Sequence, residues 1–425
     1  MSDIADPGLA EAGDTRIGWA RRAMPVLGLI GERFAAEQPL RGLTVAACLH
    51  VTAETAVLIR TLRAGGARVA LAASNPLSTQ DDTAAALAAD STADRTAGSA
   101  GISVFARAGV DRDGYYGHIR GALDAGPDLV IDDGGDLVNT LHEQRPDLLA
   151  KVRGGAESTT TGVIRLRRMA AAQVLAFPVL AANDTPARRM VDNTCGTGQS
   201  VIDGVLRATN TLLAGKTVVV AGFGSCGQGI ASRVRGLGGQ VIVTEIDPVR
   251  ALDAVLQGFP VLPMLDAAAV GEIFITATGS RDVIAAEHLA VMRDGVLLAN
   301  AGHFDVEIDV RALDRLATGV QHGVRPHTDE YVLAGGRRLL LLAEGRVVNL
   351  VAAEGHPAAV MDVSFGIQAL GLAWLAAGSG MPGVHEVPPA IDAEVARLKL
   401  ASLGTQIDTL TPDQRVYLAS WQQGS

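Results

Sequence analysis

The chain has 425 residues, 48% hydrophobic and 19% charged, an ordinary balance for globular domains with ample core. A net charge of −10 without a long basic run argues against a nucleic-acid groove, and the acidic start MSDIADPGLAEAGD lacks the apolar centre of a secretory signal. No apolar run reaches the ~18–20 residues that span a bilayer, and Cys48, Cys195 and Cys226 lack disulfide or zinc spacing; the expectation is a cytoplasmic protein without metal.

In chain order, GLTVAACL (42–49) reads as a strand, TAETAVLIRTLRAGG (52–66) as a helix and ARVALAAS (67–74) as the next strand. PDLVIDDGG (127–135) is a further apolar run that ends in acids and glycine. Buried strands with polar C-terminal ends, alternating with helices, predict a doubly wound α/β sheet whose ligand crevice lies at those ends. TTTGVIRLRRMAAAQ (159–173) and residues 190–214 read as helices that could form a hinge.

A second α/β unit starts at Lys216. KTVVVAGFG is a strand entering a glycine turn, SCGQGIASRVRGLG the helix after it, and GQVIVTEIDP the next strand. Gly222, Gly224 and Gly227 spell G-x-G-x-x-G: a tight turn, room for a pyrophosphate, and close helix packing. Glu245 ends the following strand about twenty residues on, where a carboxylate holds the ribose diol of NAD and repels the phosphate of NADP. Arg250 is a mild signal in the other direction. EIFITATG (272–279) and GVLLANAGHFD (295–305) are later strands, and the apolar stretch after His356 reads as a helix returning to the first domain.

Further segments carry a resemblance: CLHVTAETAVLIRTL (48–62), NPLSTQDD (75–82), DDGGDLVN (132–139), STTTGVIRL (158–166), NDTPARRMVDN (183–193), AGHFDVEID (301–309) and NLVAAEGHPAAVMDVSF (349–365). Together with the glycine turn they resemble the S-adenosylhomocysteine hydrolase family, in the family's order, from about Ile17 to Tyr417. The resemblance implies two doubly wound Rossmann-like domains and a C-terminal helical tail. A substrate domain would cover 1–190, completed by 355–388, an NAD-binding domain 191–354, and an oligomerisation segment 389–425. It also implies a homo-oligomer, tetramer or dimer, acting on an adenine nucleoside. The family's chemistry transiently oxidises the 3′-hydroxyl with a resident NAD, which acidifies the 4′ C–H so that the 5′ substituent leaves and water adds.

Carried over residue by residue, the resemblance puts Thr52, Glu54 and His356 around adenine. It puts His50 and Asp133 near the 5′ position, with Asp132 the less favoured neighbour. Asn183, Asp192 and Asn193 fall near sugar and nicotinamide, Asp192 as a candidate acceptor of the 3′-hydroxyl proton. Thr159, Thr160 and Thr161 match a cofactor-contacting run that also suits a helix cap. His303 belongs at the sugar–cofactor junction and Asn349 at the nicotinamide carboxamide.

Three positions depart from the family. Arg188 replaces the catalytic lysine and cannot serve as its base; that duty passes to Asp192, a histidine or water. Ser158 replaces a glutamate that grips the ribose, although Glu157 precedes it, and Thr197 replaces a cysteine. The end of the chain lacks the family's lysine and tyrosine, so NAD is expected to exchange more readily. Changes clustered on the sugar side suggest a paralogue that eliminates water from an adenine nucleoside bearing an anomeric hydroxymethyl, as in psicofuranine (angustmycin C) to decoyinine (angustmycin A). The alternatives are S-adenosylhomocysteine hydrolysis and a non-catalytic adenosine- or NAD-binding regulator.

Overall fold

Two β-sheets organise the computed structural model, which describes residues 2–93, 101–378 and 380–422. The first sheet has eight parallel strands in the order Asp3–Ile4, Ile102–Ala106, Arg68–Ala73, Thr44–Leu49, Leu129–Asp132, Gly154–Glu157, Pro178–Ala181 and Gly383–His385. Its central strands are buried on both faces, as parallel sheets between helical layers require. Strand order reverses beside Thr44–Leu49, so the crevice opens past Leu49 and Asp132. The register aligns Cys48 with Asp132, Asp132 with Glu157, and Glu157 with Ala181. The residues just beyond, His50, Asp133, Ser158 and Asn183, therefore line one sheet edge.

The second sheet orders Ala317–Arg325, Thr328–Leu333, Arg338–Leu342, Val296–Asn300, Ile273–Thr276, Thr217–Ala221 and Gln240–Thr244. Five of these strands are parallel; Ala317–Arg325 and Thr328–Leu333 pair antiparallel at one edge. Its order reverses between Thr217–Ala221 and Ile273–Thr276, which places the glycine turn at the crevice.

The two units join through a short helix Pro186–Arg188, a π-helical segment Arg189–Gly196 and the helix Thr197–Thr209. Helix Thr160–Ala171, expected from the sequence to share in a hinge, does not. Its Leu166 lies in the first domain's core with Phe177, and the strand Pro178–Ala181 follows it. The wide π turn is held by backbone contacts that only glycine permits. A Cβ on Gly229 would lie 2.0 Å from the Thr194 carbonyl oxygen, and one on Gly198 2.6 Å from the Gly229 carbonyl.

Helix Ala358–Ala376 returns to the first core, packing Val363, Ile367, Leu370 and Leu375 there. At 19 residues and mean hydropathy 1.5 it is long and apolar enough to cross a membrane, contrary to the expectation of no such run; 67% of its window is buried. Asp362 interrupts the run in sequence but is neutralised in space. Fully buried, it accepts N–H bonds from Val26 (3.2 Å) and Leu27 (2.9 Å) at a helix N-terminus and one from Lys399 Nζ (3.0 Å). Replacing Asp362 with Ala strands those donors, and the expected loss is about 2–4 kcal/mol, read as a lower urea midpoint at unchanged m-value.

Candidate active site

A cavity of about 810 Å³ lies between the strand-end edges of the two sheets, within the range of small-molecule sites. Of the residues expected at the site, all but Gly222, Gly227, Glu245 and the less favoured Asp132, which is buried at its strand end, line it. The two glycines and Glu245 belong to the turn and strand end behind its second wall.

On the first wall, His50 follows strand Thr44–Leu49. Its Nδ1 meets Ser78 Oγ at 2.6 Å, and its Nε2 lies 3.7 Å from Asp133 Oδ2. Burial lowers its pKa, the nearby His303 and His356 rings add to that, and Asp133 opposes it. The ring is thus neutral near pH 7, able to take a proton and, once charged, to return it. His303 stands edge-on to it, centroids 6.3 Å apart, against Gly134. Thr52 occupies the N-cap position of helix Ala53–Ala64, yet its side chain makes no capping bond. Burial pushes the Glu54 carboxyl up, against hydrogen bonds from its own backbone and Thr52.

Ser158 is buried, its Oγ accepting Gln368 Nε2 at 2.6 Å. Thr159 caps helix Thr160–Ala171 through Gly162 N at 2.9 Å, so its hydroxyl is committed to structure. Thr160 Oγ1 accepts Asn183 Nδ2 at 2.7 Å.

The π turn delivers Arg188 and Asp192, four residues apart, to the junction; such turns recur at functional sites. Arg188 Nε lies 3.3 Å from Asp192 Oδ2, a charge contact without hydrogen-bond alignment, and Arg188 Nε and Nη1 have no hydrogen-bond partner among the described residues. Asp192 also accepts Ser364 Oγ at 2.5 Å and meets His356 Nδ1 at 3.2 Å. Burial alone would raise the Asp192 carboxyl, but the His356 and Arg188 charges outweigh it and hold the group well below the usual range. A carboxylate so stabilised is a weak proton acceptor. His356, expected at the purine, has both ring nitrogens engaged: Nε2 meets Thr197 Oγ1 at 3.2 Å.

On the second wall Gly222 turns with φ +94°, and a Cβ on Gly227 would lie 1.9 Å from the Gly222 carbonyl oxygen. Gly224 begins helix Ser225–Gly236 with no capping side chain, leaving first-turn N–H groups for an anion. Glu245 receives Phe223 N (2.7 Å), Ile246 N (2.7 Å) and Asp247 N (3.0 Å), which fixes the carboxylate beside the turn with acceptor capacity left. The Arg250 guanidinium is 3.7 Å from where a Gly224 Cβ would be. Asn349 donates Nδ2 to Ser200 Oγ at 3.0 Å, and its buried Oδ1 has no hydrogen-bond partner among the described residues, as an acceptor for a carboxamide N–H would be left. Asn193 and Thr161 line the cavity nearby. This donor set and glycine cradle fit NAD.

Ser364, Gln368 and Ser200 were not among the sequence-predicted site residues. A signal existed for two of them: Ser364 and Gln368 are isolated polar residues in the apolar helix Ala358–Ala376. Asp192→Asn should leave Arg188 buried without its counter-charge and cost about 3–5 kcal/mol of stability, measured by urea unfolding.

Comparison with known proteins agrees with this geometry. Residues 2–147 match the family described as S-adenosyl-L-homocysteine hydrolase, and residues 193–355 that family's NAD binding domain. The chain is 54% identical over 425 residues to adenosylhomocysteinase of Aquifex aeolicus (strain VF5), covering 100% of this chain and 99% of the relative. It is 51% identical over 424 residues to S-inosyl-L-homocysteine hydrolase of Methanopyrus kandleri, covering 99% and 98%. Among solved structures, D-lactate dehydrogenase from Escherichia coli aligns over 80% of this chain and 99% of its own, with TM-score 0.45 and 14% identity. NAD is the cofactor, and the protein is an NAD-dependent enzyme. By full-length identity and by both domain matches, the chain belongs to the S-adenosyl-L-homocysteine hydrolase family.

Proposed function

We propose that this chain carries out redox-assisted elimination at the 5′ position of an adenine nucleoside. The observation that carries the reading is one cavity with a dinucleotide turn on one wall and the row His50, Asp133, Ser158 and Asn183 on the other. Bound NAD supplies a reversible oxidation of the sugar 3′-hydroxyl, whose carbonyl acidifies the neighbouring 4′ C–H. Thr52 and Glu54 hold the purine edge. Neutral His50, beside Asp133, takes the 4′ proton and, as the imidazolium so formed, gives it to the departing 5′ atom; where water then adds, the ring takes a proton from it and returns that proton to the 4′ carbon. Arg188 stabilises negative charge on the sugar oxygen without acting as a base. Asp192 keeps Arg188 and His356 in place, and Asn349 with Asn193 orients the nicotinamide.

Two leaving groups fit this chemistry. Homocysteine is the first, after the relatives named adenosylhomocysteinase. Water, lost from a nucleoside with an anomeric hydroxymethyl such as psicofuranine, is the second. It is favoured by Ser158, a short neutral side chain bound to Gln368 on the sugar wall, and by Arg188 in place of a lysine.

A homo-oligomer belongs to the same proposal. The C-terminal segment exposes Leu403, Ile407, Leu410, Val416, Leu418 and Trp421, apolar surface of the kind that subunit contacts cover. Light scattering behind size exclusion is expected to give at least a dimer, and Leu418→Ser with Trp421→Ser to reduce the mass.

The deciding assay offers holoenzyme S-adenosylhomocysteine, adenosine and psicofuranine, with products followed by mass spectrometry. Homocysteine release supports the first leaving group, and loss of 18 mass units, about one water, supports the second. Unchanged turnover in protein stripped of NAD overturns both. Arg188→Lys, which introduces a group able to lose its proton, should raise homocysteine release relative to water loss and add a limb to the pH profile.

A further inference from the structure

Glu157 closes strand Gly154–Glu157, and the chemistry above leaves it without a role. It is fully buried. One oxygen, Oε1, accepts three hydrogen bonds: Gly134 N at 2.9 Å, Thr159 N at 2.8 Å and Thr159 Oγ1 at 2.8 Å. Gly134 directly follows Asp133, and Thr159 caps the next helix. The other oxygen, Oε2, has no hydrogen-bond partner among the described residues. Helix Thr160–Ala171 lies directly on this carboxyl: a Cβ on Gly162 would come within 2.2 Å of its Cδ.

The charges around it are unbalanced. Asp132 pairs with Glu157 across the ladder, Asp133 leads the adjoining loop, and Asp136 begins the helix after it. Against these acids stands Arg165, which donates to the Gly134 carbonyl (2.6 Å) and Asp136 Oδ1 (2.8 Å). His50 is held neutral, and His303 packs beyond Gly134. Ionising every one of these carboxyls in a buried space is costly, so at least one retains a proton. The sheltered, unpartnered Oε2 is the site where a proton displaces no existing bond.

We propose that Glu157 is a positioning residue: a neutral carboxylic acid whose Oε1 ties the Asp133 loop to the threonine cap and so fixes Asp133 against His50. This rests on the reading that His50 and Asp133 serve the 5′ position. Each oxygen has a separate task, one holding two loops and the other holding a proton. Ionisation would place a second anion behind Asp133 and alter the proton affinity of its partner His50.

Two measurements test it. Burial first, and Asp133 next, push the Glu157 carboxyl up to about 8. The native state then binds more protons than the unfolded one between the ordinary glutamate range and that value, so stability falls as pH rises across the window. Urea midpoints from pH 5 to 9 should decline in the wild type and decline less steeply in Glu157→Gln, Asp132 supplying the remainder. In kinetics, Glu157→Gln keeps the neutral acceptor and should hold kcat within about threefold at pH 7 while losing an alkaline limb. Glu157→Ala frees both loops and should lower kcat by about tenfold or more, with KM within about twofold.

Parallel midpoint curves for wild type and Glu157→Gln overturn the neutral acid. Superimposed kcat profiles for those two, or wild-type kcat in Glu157→Ala, overturn the positioning role. If Glu157→Ala does not fold, Glu157→Gln decides. If holoenzyme turns over none of the offered nucleosides, the function above fails while the midpoint curves still decide whether Glu157 is neutral.

Discussion

A buried carboxylate at the crossing between the two sheets organises the rest of the site. Asp192 takes charge from Arg188 and His356 and a hydroxyl bond from Ser364, so three separate segments converge on one group. Coulomb attraction is strong where water is excluded, and the cost of burying the ions is recovered only if the geometry holds. The arrangement therefore constrains the π turn, the loop after His356 and helix Ala358–Ala376 together. His356 and Arg188 together hold the Asp192 carboxyl ionised against the effect of burial, which makes it a poor proton acceptor.

Glycine makes that convergence possible. Helix Ser225–Gly236 reaches the π turn only because Gly229 brings no side chain against the Thr194 carbonyl, and Gly198 meets Gly229 in the same way. The dinucleotide turn and the domain crossing are thus packed backbone to backbone, which leaves little freedom for one to move without the other. The first turn of that helix lines the same cavity as Arg188 and Asp192.

The opposite wall works by a different balance. Parallel strand ends bring Asp132, Asp133, Glu157 and Ser158 to one level, since the register aligns them across neighbouring strands. Acids at such an edge repel one another, and their protonation is a property of the group. Backbone N–H donors and Arg165 offset part of the repulsion, with neutral His50 facing Asp133.

Much was legible in the chain alone. Alternating apolar runs that end in polar residues specify parallel sheets, and strand, glycine turn, helix and distant acid specify a dinucleotide fold, because these are local patterns with local causes. The family and NAD were readable for the same reason. What pairs with what was not. No spacing tells that His356 turns both nitrogens to Asp192 and Thr197, that Gln368 reaches back 210 residues to Ser158, or that residues 189–196 widen into a π turn. Those outcomes depend on which buried polar groups find partners once two sheets close on each other, and only the tertiary structure decides that.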